Sequence, residues 1–93
     1  MKTKEPKLVI GGIYRHFKGE LYRVDNLVID SEEKKEYVLY TSLYHPKAGL
    51  GFHTQFIRLK DMFLSPVDRV KYPDVEQYWR FQMVYDWEGK KVG

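Results

Sequence analysis

At 93 residues the chain is short for two domains, and its 43% hydrophobic and 31% charged content fits one ordinary globular domain rather than a disordered segment. The absence of cysteine excludes a disulfide framework, thiol catalysis and thiolate zinc ligation. The formal net charge of +3 leaves anionic partners open, and no run matches a signal-peptide core or the about 20 apolar residues of a membrane span, so a soluble cytoplasmic chain is expected.

Residues 1–7 are polar, contain Pro6 and lack periodicity, which predicts a mobile leader before a single domain over 8–89 and a short tail at 90–93. After the break at Gly11 and Gly12, residues 13–17 and 21–30 are rich in β-formers and flank Lys18 and Gly19. That is a hairpin signal, with Gly19 supplying the positive φ of a tight reversal. The charged stretch 31–35 is a second reversal. Residues 36–44 form a third strand with apolar side chains at both parities: Tyr37, Leu39 and Leu43 against Val38, Tyr40 and Tyr44. A strand covered on both faces belongs in a curled sheet or barrel.

Pro46, Gly49 and Gly51 make residues 45–51 a loop, and residues 52–59 resume a strand. Residues 60–63 offer at most one helical turn, because Pro66 follows too soon for more. A further short helix can open at Pro73. From 78 to 87 the alternation is strict, with Trp79, Phe81, Met83, Tyr85 and Trp87 on one face, and this is the cleanest strand in the chain. Five or six short strands with charged turns and no crossover helix predict a mainly β fold: a small antiparallel barrel of SH3-like type with at most one or two short helical turns.

Enzyme signatures are absent. There is no glycine-rich phosphate loop, no Gly-x-Ser-x-Gly elbow and no His-Glu-x-x-His. The spacings of His16, His45 and His53 match no zinc pattern, so no metal and no cofactor is expected. Glu32, Glu33 and Glu36 sit in or beside a turn, where a solvated role outweighs acid/base work. Aromatic residues make up 16% of the chain, and their first duty is core, at about 150–250 Å² buried for each.

The charge distribution says more than its sum. Residues 1–23 carry six basic and two acidic side chains, whereas residues 24–36 carry two and five. Alternation along the first strand sets Tyr14, His16 and Lys18 on one side and Ile13, Arg15 and Phe17 on the other. An aromatic, a histidine and a lysine on one exposed strand face would hold single-stranded nucleic acid by stacking and phosphate neutralisation. A charged edge strand that deters aggregation has the same appearance.

The run Gly12-x-Tyr14-Arg15-His16-Phe17-Lys18-Gly19, followed by Tyr22-x-Val24, resembles the opening signature of a family of small bacterial domains of unknown function, marked by Tyr-Arg-His-aromatic-Lys-Gly. The similarity continues through Ser31, Glu32, Glu36, Val38, Tyr40, Leu43 and Tyr44, resumes at Phe56-Ile57-Arg58 with Met62, Phe63 and Val67, and ends at Arg80-Phe81. This chain has Asp30 where that family often has His, Phe56 for Trp and Leu59 for Pro. The segments 45–55 and 72–77 look like additions.

Within the motif, Gly19 is a backbone requirement and Phe17 a core anchor, which leaves polar ends in need of a reason. Tyr14, Arg15, His16, Lys18, Tyr44 and Arg58 are therefore the candidate ligand-binding residues, with no catalytic residue among them. The structural alternative is that Arg15 or Arg58 pairs with Glu36 or Asp61 and that tyrosine hydroxyls cap loop carbonyls. The expected role is a noncatalytic binding module for an anionic partner, a nucleotide or nucleic acid. A protein–protein scaffold comes next, and a hydrolase using His16 with a carboxylate ranks third.

Overall fold

The computed structural model describes residues 7–43 and 53–92. Five strands, β1 (Ile13–His16), β2 (Leu21–Ile29), β3 (Glu36–Ser42), β4 (Gln55–Leu59) and β5 (Phe81–Tyr85), accompany one helical turn, α1 (Lys60–Phe63), between β4 and β5. The strands form one antiparallel sheet in the order β4-β3-β2-β1-β5. The fold is mainly β, as the period-2 runs predict.

Local chemistry sets the reversals. Gly19 adopts φ 110°, and its N–H donates to the His16 carbonyl at 2.7 Å while the His16 N–H donates to Glu20 at 2.8 Å. Between β2 and β3, the Asp30 carboxylate accepts from the N–H groups of Glu32 (3.2 Å) and Glu33 (3.4 Å). Lys34 then turns through a left-handed φ of 61°. Asp30 is thus a turn residue.

Two irregularities decide which side chains face inward. Val24 lies opposite Tyr40 and Asn26 opposite Leu39, so Asp25 is an extra residue in β2. Its carboxylate accepts from the Thr41 hydroxyl, Arg23 Nε (2.8 Å) and Gln55 Nε2 (3.2 Å), joining β2, β3 and β4. Likewise Ile13 pairs with Tyr85 but Tyr14 with Met83, which makes Val84 extra in β5. Phe81 and Met83 therefore reach the core, whereas Tyr85 shares the outer face with Ile13 and Trp87 is 68% exposed. The strict alternation over 78–87 breaks at that bulge.

The core consists of Tyr14, Val24, Val38, Tyr40, Phe63 and Phe81. Phe63, delivered by α1, stacks on Phe81 at 4.0 Å with the rings nearly parallel, and Tyr14 and Tyr40 meet it edge-on at 5.5 and 5.3 Å. One turn of helix suffices because its task is to place a single large ring over the sheet.

The predicted barrel is an open sheet instead. Among the described residues β4 and β5 are its two edges and do not pair with each other. The chain leaves the sheet directly after β4 into α1. Residues 65–67 span the gap: Val67 N–H donates to Tyr78 (2.8 Å), Arg80 N–H donates to Ser65 (2.9 Å), and Pro66 lies opposite Trp79. Downstream, Val92 N–H donates to Val84 at 2.9 Å and Lys91 bridges Tyr85, so residues 91 and 92 fold back along β5. Residues 1–6 of the expected leader lie outside the described residues, while Lys7 offers its carbonyl to the Tyr14 hydroxyl. No described helix is long and apolar enough to cross a membrane.

Candidate functional site

The inner face of the sheet carries, beside the β1–β2 turn, a group of aromatic rings (the floor) flanked by cations (the rim). The β1 face expected to be exposed is the inner one: the structure turns Tyr14 and His16 inward and Arg15 outward, because so short and mixed a strand does not reveal its inner face by parity alone. Tyr14, 1% exposed, is a core residue at some remove from the rim; its hydroxyl accepts from Val9 N–H (3.0 Å) and donates to the Lys7 carbonyl (2.8 Å). Burial raises the pKa of its phenol, partly offset by the Val9 N–H. A tyrosine hydroxyl capping a loop carbonyl was one half of the structural alternative, and Tyr14 does this.

The other half does not occur. Glu36 pairs with Lys60 at 3.5 Å, and the remaining ion pairs among the described residues are Arg23 with Asp25, Lys35 with Glu33 and Lys90 with Glu88. Arg15 bonds Gln77 Oε1 through Nε at 3.1 Å, on the outer face. Arg58, on β4, donates from Nε to the Tyr40 hydroxyl at 3.2 Å, and its guanidinium carbon lies 5.6 Å from the Phe81 ring centroid.

His16 is half-buried between rings. Its centroid is 4.5 Å from Phe17, 4.9 Å from Phe81 and 6.5 Å from Tyr22. The Lys18 N–H donates to His16 Nδ1 at 3.1 Å. Desolvation first, then repulsion from Arg58, Lys18 and Arg80, lowers the His16 pKa to about 4. All three cations thus lie near enough to disfavour a fourth charge. Lys18 is exposed, with its ammonium 5.9 Å from the Phe17 centroid and 5.5 Å from that of Tyr72.

Of the six candidate residues, the structure brings together His16, Lys18 and Arg58. It sets Arg15 on the outer face and Tyr14 in the core, and Tyr44 lies outside the described residues. Arg80 is an addition that the sequence reading missed. It precedes β5, donates from Nε to Ser65 Oγ at 3.2 Å and reaches the His16 neighbourhood. Its signal is the Arg80-Phe81 pair at the start of β5. Alternation sets the two residues on opposite faces, but the bridge to residues 65–67 recruits Arg80 to the rim.

The arrangement suits binding of negative charge. Among the described residues, no carboxylate hydrogen-bonds His16 or pairs with Lys18, Arg58 or Arg80. No group of three or more described His, Asp or Glu side chains is placed to hold a metal ion.

The sequence profile of a family described as "Protein of unknown function (DUF1653)" matches residues 12–83. A crystal structure of a protein from Bordetella bronchiseptica, described as belonging to that family, is similar over 89% of this chain and 90% of its own, with 30% identity and a TM-score of 0.63. No curated protein matches.

Proposed function

This chain belongs to the DUF1653 family, and on that premise we propose that the domain is a noncatalytic, cytoplasmic binding module for an anionic ligand, a nucleotide or nucleic acid, held at the rim formed by His16, Lys18, Arg58 and Arg80. One observation carries this reading. Arg58 and half-buried His16 lie against the same Phe81 ring, Lys18 and His16 against the same Phe17 ring, and Arg80 adds its positive charge to their field at the imidazole, with no described carboxylate to neutralise them. Like charges so placed repel one another, and an arriving anion removes that repulsion. Arg15 on the outer face contributes at most long-range attraction.

The test is binding of a labelled single-stranded oligonucleotide and of a labelled nucleotide at rising salt. Three or four phosphate contacts give a slope of log affinity against log salt of about −2 to −3 for a single strand. Absent binding at low salt, or binding indifferent to salt, defeats the reading.

A protein partner is the second reading, and a different surface favours it. Ile57 (60% exposed), Tyr85 and Trp87 project from the outer face or its margin as large exposed apolar side chains. Such a partner would bind regardless of charge reversal at Arg58 and Arg80.

A further inference from the structure

We propose that the group recognised at this rim is a terminal phosphate monoester, seized by the outer nitrogens of Arg58 and Arg80, the Lys18 ammonium and His16 Nε2–H. The inference rests on the anion-binding reading above and narrows it to one ligand chemistry.

The way each arginine is anchored comes first. Arg58 and Arg80 both spend Nε on the protein, on Tyr40 and Ser65 respectively. Among the described residues, neither makes a hydrogen bond through its terminal nitrogens. An arginine fixed at Nε keeps a planar, pre-aimed fork, the geometry that grips phosphate through two parallel bonds. A lysine-only rim would supply charge without that direction.

The histidine adds a donor without adding charge. Its Nδ1 is occupied by the Lys18 N–H, so the neutral ring carries its proton on Nε2. Lys18, Arg58 and Arg80 are the charged groups that bear on it, all positive, and the flanking Phe17, Tyr22 and Phe81 bring no carboxylate. Three cations and one neutral N–H complement a group with charge of about −1.5 to −2 and three acceptor oxygens, which describes a phosphate monoester at neutral pH.

The floor argues against an internal phosphodiester. Single strands are held by rings that offer their faces to successive bases. Here Phe81 is fully buried with Phe63 stacked on it, Tyr40 is buried, and Phe17 packs edge-on against Tyr72 at 4.9 Å. Those rings are occupied by one another.

The experiment is calorimetric titration of the full chain at low salt with four probes: inorganic phosphate, a nucleoside 5′-monophosphate, a short single strand with a 5′-phosphate and the same strand with a 5′-hydroxyl. Phosphorylated probes should bind about ten- to a hundredfold tighter than the hydroxyl strand, the worth of one or two charge-assisted contacts. A mononucleotide that matches the phosphorylated strand identifies the free nucleotide as the source, and a tighter phosphorylated strand identifies the chain end; either supports the proposal. Equal binding of the two strands overturns it and leaves the broader anion reading intact. No binding by any probe overturns both. Arg58→Gln and Arg80→Gln should each weaken phosphate binding about tenfold. Lys18→Gln, at an exposed position, should weaken it while leaving the melting curve unchanged. Three variants with unaltered phosphate affinity would also overturn the proposal.

Discussion

The backbone N–H of Lys18 points at Nδ1 of His16 across 3.1 Å, so the turn that reverses the chain also orients the imidazole. The neutral ring already carries its proton on Nε2, so a second proton can enter only at Nδ1 and at the cost of that bond, while burial and the positive charges of Arg58, Lys18 and Arg80 also disfavour the charged ring.

A pH dependence follows from the depressed His16 pKa. It lies at about 4 in the folded chain against 6.5 for a free histidine, so between those values the unfolded chain binds more protons. The stabilisation is fully present above pH 6.5, declines as pH falls through that window, and changes no further below about 4. Urea midpoints across the window should drop more steeply for the wild type than for His16→Asn, whose side-chain oxygen can still accept the Lys18 N–H. Parallel slopes would contradict the assignment.

Gly19 and Gly12 should resist substitution for opposite reasons. A Cβ on Gly19 would meet nothing within 4 Å, so Gly19→Ala tests the φ of 110° alone and should cost about 1–2 kcal/mol. A Cβ on Gly12 would stand 3.1 Å from both Met83 Sδ and the Val9 carbonyl oxygen and 3.2 Å from Tyr14 Cε1. Gly12→Ala should therefore displace the Tyr14 ring, visible as altered near-ultraviolet circular dichroism, whereas Gly19→Ala should leave that spectrum as it is.

Tyr14→Phe removes one oxygen that both accepts and donates. The Val9 N–H and the Lys7 carbonyl each lose their partner, and a loss of about 1–3 kcal/mol in denaturant unfolding is expected. Phosphate binding should persist, because the hydroxyl lies away from the rim. A Tyr14→Phe protein of unchanged stability that no longer binds would reverse both assignments.

Removing everything after Val67 deletes β5 and with it Phe81, whose ring is stacked on Phe63 in the centre of the core. Loss of one buried aromatic costs about 3–5 kcal/mol against totals of about 5–15, so the truncated chain should show no cooperative thermal transition. Phe81→Ala in the full chain is the milder form and should lower the melting temperature without abolishing the transition.

Much of this architecture is legible in the chain's own pattern. Lys18 and Gly19 announce the first hairpin, the charged 31–35 stretch the second, and Pro66 limits α1 to one turn. What escapes is what depends on counting across strands. Asp25 and Val84 each look like ordinary members of alternating runs, and only their partners on β3 and β1 reveal them as extra. The β1 face expected to be exposed proves to be the inner one, because both parities hold an aromatic and a basic residue; the bulk of Tyr14 and the fit of His16 against Phe81 decide it. Arg80 could not be joined to the His16 neighbourhood from sequence, because its anchoring on Ser65 depends on residues 65–67 turning back toward residues 78–80.

That same bridge bears on how copies of this chain behave toward one another. A bare strand edge offers a row of unused N–H and C=O groups on which a stranger's strand can nucleate, the first step toward fibrils. Along β5 and its approach, residues 65–67 occupy the upstream positions and residues 91 and 92 the downstream ones. Pro66 has no N–H to extend the ladder outward, and Lys91 brings a charge that neighbouring copies would have to bury. The sheet remains open in topology, yet on this side it offers little for misassembly to grow from.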